Sequence, residues 1–94
     1  MAAKKKFVVV RTYSAGVHVG ELVELNGKEV ILANARRLWR WSGANTLNEV
    51  ASKGVAEDSR ISEPVSSVTL TEAIEVLATT SEAQANLERS RWGA

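Results

Sequence analysis

The stretch ELVELNGKEVIL, residues 21–32, decides the architecture. Two apolar-rich runs flank Asn26-Gly27, and both of those residues tolerate the positive φ that a two-residue type I′ turn requires. A β-hairpin is therefore expected, with Leu25 opposite Lys28, Glu24 opposite Glu29, Val23 opposite Val30 and Leu22 opposite Ile31. The like-charged Glu24–Glu29 pair is mildly unfavourable, which leaves room for a longer loop or a nearby cation. Val23 and Leu22 point to opposite faces, yet each has an apolar partner. A strand pair with two apolar faces belongs in a sandwich, a small closed barrel or a subunit interface.

Strand patterns continue on both sides of the hairpin. KKFVVVRTYS (5–14) alternates, with Phe7, Val9, Arg11 and Tyr13 on one face and Val8, Val10 and Thr12 on the other. A turn at Ser14-Ala15-Gly16 leads into GVHVGELVEL, where Val17, Val19, Val23 and Leu25 share a face with Glu21, and His18, Gly20, Leu22 and Glu24 form the other. KEVILANARRLWRW (28–41) reads as a strand bending at Ala33-Asn34-Ala35. NTLNEVASKG is a short helix at about 46–53: Thr46 and Glu49 have capping-box spacing, and Gly54 suits the position after the end. Residues 55–60 are a polar connection, and Pro64 marks a break or a sheet edge. VTLTEAIEVLATT is open to two readings. Val68, Leu70, Ile74 and Val76 alternate as a strand requires, while Leu70, Ile74 and Leu77 have helical spacing; the many Val, Ile and Thr residues favour the strand. Ser81, with Gln84, caps a last helix at about 82–91. The fold class is thus α+β: a small, mainly antiparallel sheet, sandwich or barrel-like, with a short middle helix and a C-terminal helix.

At 94 residues with 45% hydrophobic and 24% charged side chains, the chain makes one globular domain over 7–94, preceded by a basic, flexible tail at 1–6. A chain this short buries proportionally little surface, so pairing with copies of itself is a natural source of stability. With no cysteine, disulfides, thiolate chemistry and cysteine-ligated metals are excluded. No apolar run is long enough to span a membrane, and the four-residue FVVV run stops at Arg11, too soon for a signal peptide, so a cytosolic protein is expected. Net charge is +1 but uneven: residues 1–54 carry nine Lys/Arg against four Glu, or +5, and residues 55–94 carry three Arg against six Glu and one Asp, or −4. Such asymmetry is an ordinary dipolar surface, an anion-binding N-terminal region, or the means of head-to-tail contact between subunits.

Catalytic machinery is not legible. His18 is the single histidine, and in a strand Ser14 would stand about 13 Å from it, beyond direct hydrogen bonding. No Ser–His–acid spacing, no metal-ligand spacing and no phosphate-binding glycine loop occurs, so no enzyme activity, catalytic residue, cofactor or metal is expected. The notable chemistry is NARRLWRWSGAN (34–45). Extended, it places Arg37, Trp39 and Trp41 on one face and Arg36, Leu38 and Arg40 on the other. Indoles stack rings and guanidiniums clamp phosphates. Arg11, Tyr13, His18, Arg36, Arg37, Trp39, Arg40 and Trp41 therefore form the candidate ligand-binding set. The same residues also suit core or subunit-interface anchors, since Trp and Arg are enriched there. Extended nucleic acid is disfavoured by the small net charge and the acidic C-terminal half.

The runs FVVVRTYSAGVHVGEL, GKEVILANARRLWRWSGANTLNEVASKGV and EPVSSVTLTEAIEVL resemble a family of short proteins of tailed bacteriophages and prophages, a domain of unknown function, over roughly residues 5–80. The most specific pieces are RTYSAGVHVG (11–20) and ARRLW (35–39). The resemblance implies a viral or prophage origin, a strand at 68–77, and no transferable site residues. The expectation is a non-enzymatic, homo-oligomeric binding protein in the host cytoplasm. It would capture a host or phage protein, or a small anionic ligand such as a nucleotide, with an anti-defence role. The alternative is a component of the virion, using the same residues as interface anchors.

Overall fold

Six strands and two helices follow one another in the computed structural model, which describes residues 6–14, 16–44, 46–56 and 59–90. They are β1 (Phe7–Thr12), β2 (Val17–Asn26), β3 (Glu29–Arg40), α1 (Leu47–Lys53), β4 (Arg60–Ile61), β5 (Val65–Leu70), β6 (Ala73–Ala78) and α2 (Ser81–Arg89). The fold is the expected α+β class with a mainly antiparallel sheet. The basic residues at 1–5, Ala15 of the first turn, and Arg91 at the end of the expected last helix lie outside the described residues.

The hairpin forms, but its turn sits one residue later than expected, which moves the partners of Leu25 and Glu24 by two residues. Asn26 pairs with Glu29, Leu25 with Val30 and Glu24 with Ile31, so Gly27 and Lys28 make the turn. Gly27 has φ +63°, while Asn26 and Lys28 stay at negative φ, the pattern of a II′ rather than a I′ turn. This shift removes the Glu24–Glu29 clash. Val23 is then the extra residue of a bulge, because Leu22 pairs with Leu32.

The sheet runs β4-β3-β2-β1-β6, with β5 also paired to β3. The long β3 holds β5 along its first half, Val30↔Leu70 to Ala35↔Val65, and β4 beyond it, Leu38↔Ile61. The expected strand at 68–77 is two strands, β5 and β6, with only Thr71 and Glu72 between them. Since β5 pairs with β3 and β6 with β1, this corner draws the two ends of the sheet together into a barrel-like shape. It is tied on both sides: Tyr13 N–H donates to the Glu72 carbonyl at 2.9 Å, and Ala73 N–H to the Lys28 carbonyl at 3.0 Å.

Strand β1 explains why one chain has two cores. Its FVVV run buries both faces, as the central strand of a layered domain must. Val8 and Val10 join Val30, Leu32, Ala35 and Leu70 inside the curl of the sheet. Phe7 and Val9 join Val19, Leu38 and Ile61 on the outer face, under Val50 and Ala51 of α1 and Leu87 of α2. Thr46 caps α1, its hydroxyl accepting from Glu49 N–H, and Gly54 closes it at φ +88°. For α2 the cap is Thr80 rather than Ser81: the Thr80 hydroxyl accepts from Ala83 N–H at 3.1 Å, and Gln84 donates to Glu88 instead of turning back to a cap. Asn86 fastens the two helices, its amide both accepting from Val55 N–H (2.8 Å) and donating to the Val55 carbonyl (3.0 Å).

Candidate functional site

Directly opposed residues of an antiparallel pair point to the same face, so the register sorts the candidate side chains. Val9, Val19 and Arg36 are aligned across β1, β2 and β3, as are Arg11, Val17 and Leu38. These lie on the helix-bearing face. Val10, His18 and Arg37 are aligned on the opposite face. The switch point is the bulge at Asn34, which adopts φ +50° opposite Gly20. A Cβ on Gly20 would come within 3.1 Å of the Ala33 carbonyl oxygen and the Ala35 Cα, so glycine is what lets β3 cross this closely.

Arg36 is buried, and its guanidinium is engaged with one helix end. Nε donates to the Ser62 carbonyl (2.8 Å), Nη1 to the carbonyls of Leu87 (2.9 Å) and Glu88 (3.2 Å), and Nη2 to that of Ser90. The last carbonyls of a helix lack intrahelical partners and carry partial negative charge, so a cation is stabilised there. Arg36 thereby closes α2 onto the sheet.

Arg37 is exposed on the opposite face. Strand β5 runs beside β3 only as far as Ala35↔Val65, and beyond that point Trp39 stands 60% exposed. His18, buried between Val10 and Arg37 in the register, floors a groove of about 190 Å³ whose walls include Arg37, Ser62, Val65 and Val68. Arg40 is exposed and sits directly across from Arg60 of β4. The two guanidiniums form a basic rim at this end of β3.

The other candidate residues lie apart from this group. The register shift between Leu38 and Arg40 turns Trp41 inward, where it packs against the helix-side core, so the two indoles do not form one platform. Arg11 is on the helix-bearing face, 3.9 Å from Glu75 of β6. Tyr13 is exposed and lines a separate hollow with Lys28, Glu72 and Ile74. Ser14 donates to Glu72 at 2.7 Å. The structure thus brings His18 and Arg37 together in one groove, whose lining also includes Arg36, leaves Trp39 and Arg40 exposed further along β3, and separates Arg11, Tyr13 and Trp41 from them.

A second concavity has no counterpart in the reading of the sequence. A cleft of about 410 Å³ opens on the helix-bearing face, walled by Phe7 and Pro64, rimmed by Glu21, Glu63 and Glu88, with Arg36 in its floor. Its residues span positions 7 to 88, and no local spacing could have announced it. The one available signal was Arg36 sharing a face with Leu38, since a buried guanidinium needs several acceptors. Among the described residues no three His, Cys, Asp or Glu side chains could hold a metal ion, and no helix is long and apolar enough to cross a membrane.

Fold and surface together define a small α+β domain: a curled six-strand sheet covered on one face by a mid-chain and a C-terminal helix. The family described as Domain of unknown function (DUF6948) matches residues 5–87, nearly the whole chain, and the protein belongs to that family. No curated protein and no solved structure matches the chain.

Proposed function

We propose that this protein is a non-enzymatic binding domain that captures an anionic group, on a small ligand such as a nucleotide or on a partner protein, at the Arg37–Trp39–Arg40 end of β3. The observation that carries the reading is the exposed Trp39 indole two residues along β3 from the exposed Arg37, which lines the His18 groove. A ring stacks on the indole while a phosphate or carboxylate takes both N–H donors of an arginine. The groove is small, so it suits a single anionic group, with any attached ring lying outside against Trp39. A phage or prophage source rests on the resemblance carried by RTYSAGVHVG and ARRLW. The host cytoplasm and an anti-defence role follow from that source.

Titration calorimetry with ADP tests the ligand reading. The wild type should bind, and Arg37→Ala and Trp39→Ala should each weaken binding at least about tenfold, corresponding to ~1.4 kcal/mol, with circular dichroism unchanged. Equal affinity in all three proteins would falsify it. A second reading, a structural component of a virion, is favoured by the exposed apolar side chains Val23, Leu25, Val65 and Ile74 around the sheet. Purified particles containing the protein at fixed copy number would establish that reading instead.

A further inference from the structure

Strand β3 presents opposite charge on its two sides. On the helix-bearing side is the cleft rimmed by Glu21, Glu63 and Glu88; Arg37 points to the other side, and the exposed Trp39 and Arg40 follow it to the end of the strand. We propose that the acidic cleft of one copy receives the Arg37–Trp39–Arg40 edge of a second copy, so that chains associate head to tail. The inference rests on the reading of that edge as an anion-seeking surface and names the partner that supplies the anions.

The chemistry of the two surfaces is complementary. Phe7 and Pro64 give the cleft apolar walls for an indole, and about 410 Å³ lies within the ~300–1,000 Å³ typical of small-molecule pockets. The Arg36 guanidinium in the floor donates to four carbonyl oxygens and faces the negative end of α2, so its charge is matched from below and the carboxylates set the sign of the opening. No metal ion suits those carboxylates, because among the described residues no three acidic, His or Cys side chains gather closely enough to hold one. Guanidiniums on flexible stems can reach dispersed carboxylates, and Arg and Trp are the side chains most concentrated at interface hot spots. The +5 and −4 charges of the two halves of the chain add a long-range attraction in the same sense.

Geometry decides the kind of assembly. Arg37 points away from the side of β3 that bears Arg36 and the cleft, so a chain's own Arg37 cannot fill its cleft and the contact repeats from copy to copy. Such a heterologous contact closes into a ring or continues as a filament, rather than ending at a two-fold dimer.

Sedimentation velocity on the full chain, over a wide range of concentration and at low and high salt, tests the proposal. The wild type should exceed the monomer mass and dissociate as salt rises. Glu63→Arg and Trp39→Ala should each weaken self-association at least tenfold. Both side chains are exposed, so neither change removes core packing, and circular dichroism should match the wild type. Mixing the two variants should give a one-to-one pair that grows no further, because the intact edge of one meets the intact cleft of the other and the remaining surfaces are disabled. A monomeric wild type, or a Glu63→Arg chain with wild-type mass, overturns the proposal. If Glu63→Arg keeps its mass while Arg37→Ala still loses ADP, the docking fails and the anion-seeking reading stands. If ADP does not bind but both variants dissociate and complement each other, the docking stands and the nucleotide reading fails.

Discussion

Replacing Arg36 by alanine removes the donors to four carbonyl oxygens at once. Charge-assisted hydrogen bonds are worth about 1.5–3 kcal/mol each, but the carbonyls at the helix end can be partly rehydrated, so the expected net loss is about 2–4 kcal/mol by urea denaturation. Hydrogen exchange should show the last turn of α2 opening first, and Arg36→Lys should recover only part of the loss, since an ammonium cannot reproduce the planar fork. Gly20 is a second position where one atom matters. Gly20→Ala pushes a methyl against the Ala33 carbonyl and the Ala35 backbone, so the chain must shift at the Asn34 bulge. Overpacking of this kind costs about 1–3 kcal/mol, read as a lowered melting temperature.

Helices α1 and α2 are too short to persist by themselves, being seven and nine residues long, and depend on caps and on the face they bury. Thr46→Ala and Thr80→Ala should each cost about 1 kcal/mol in thermal unfolding. The Thr80 change should be the larger, because its hydroxyl also donates to the Ser52 carbonyl at 2.7 Å and so links α2 to α1. Strands β5 and β6 depend instead on their neighbours. Strand alternation and helical spacing coexist in VTLTEAIEVL, and its Val, Ile and Thr content favours the strands that form. Pairing with β3 and β1 settles the matter, and the Thr71-Glu72 corner is held by backbone bonds to Tyr13 and Lys28 that are distant in sequence.

Across the whole molecule, β1 belongs to both cores, so the barrel interior and the helix layer cannot unfold separately. Leu32→Ala in the interior and Leu87→Ala under the helices remove fully buried side chains from different clusters. Each should cost about 2–5 kcal/mol, and each should lower one common transition seen alike in far- and near-ultraviolet dichroism. Two separated transitions would show that the cores are independent.

The sequence by itself determined the elements whose signals are local. Alternation in FVVVRT, a glycine at the hairpin, Thr46 three residues before Glu49, and the bend at Asn34 each depend on neighbours within a few residues, and each element formed where those signals lie. Its alternation also put Arg37, Trp39 and Trp41 on one face, whereas Trp41 packs against the helix-side core. Only the tertiary structure decided the hairpin register, because moving the turn by one residue re-pairs Glu24 from Glu29 to Ile31 and is settled by packing of Leu22 and Val30 against the inner core. The tertiary structure likewise decided that Arg36 closes α2, that Trp39 and Trp41 part company, and that Glu21, Glu63 and Glu88 share a cleft. Those outcomes join residues tens of positions apart, and side-chain hydrogen bonding and burial over such separations have no periodicity for a sequence to display.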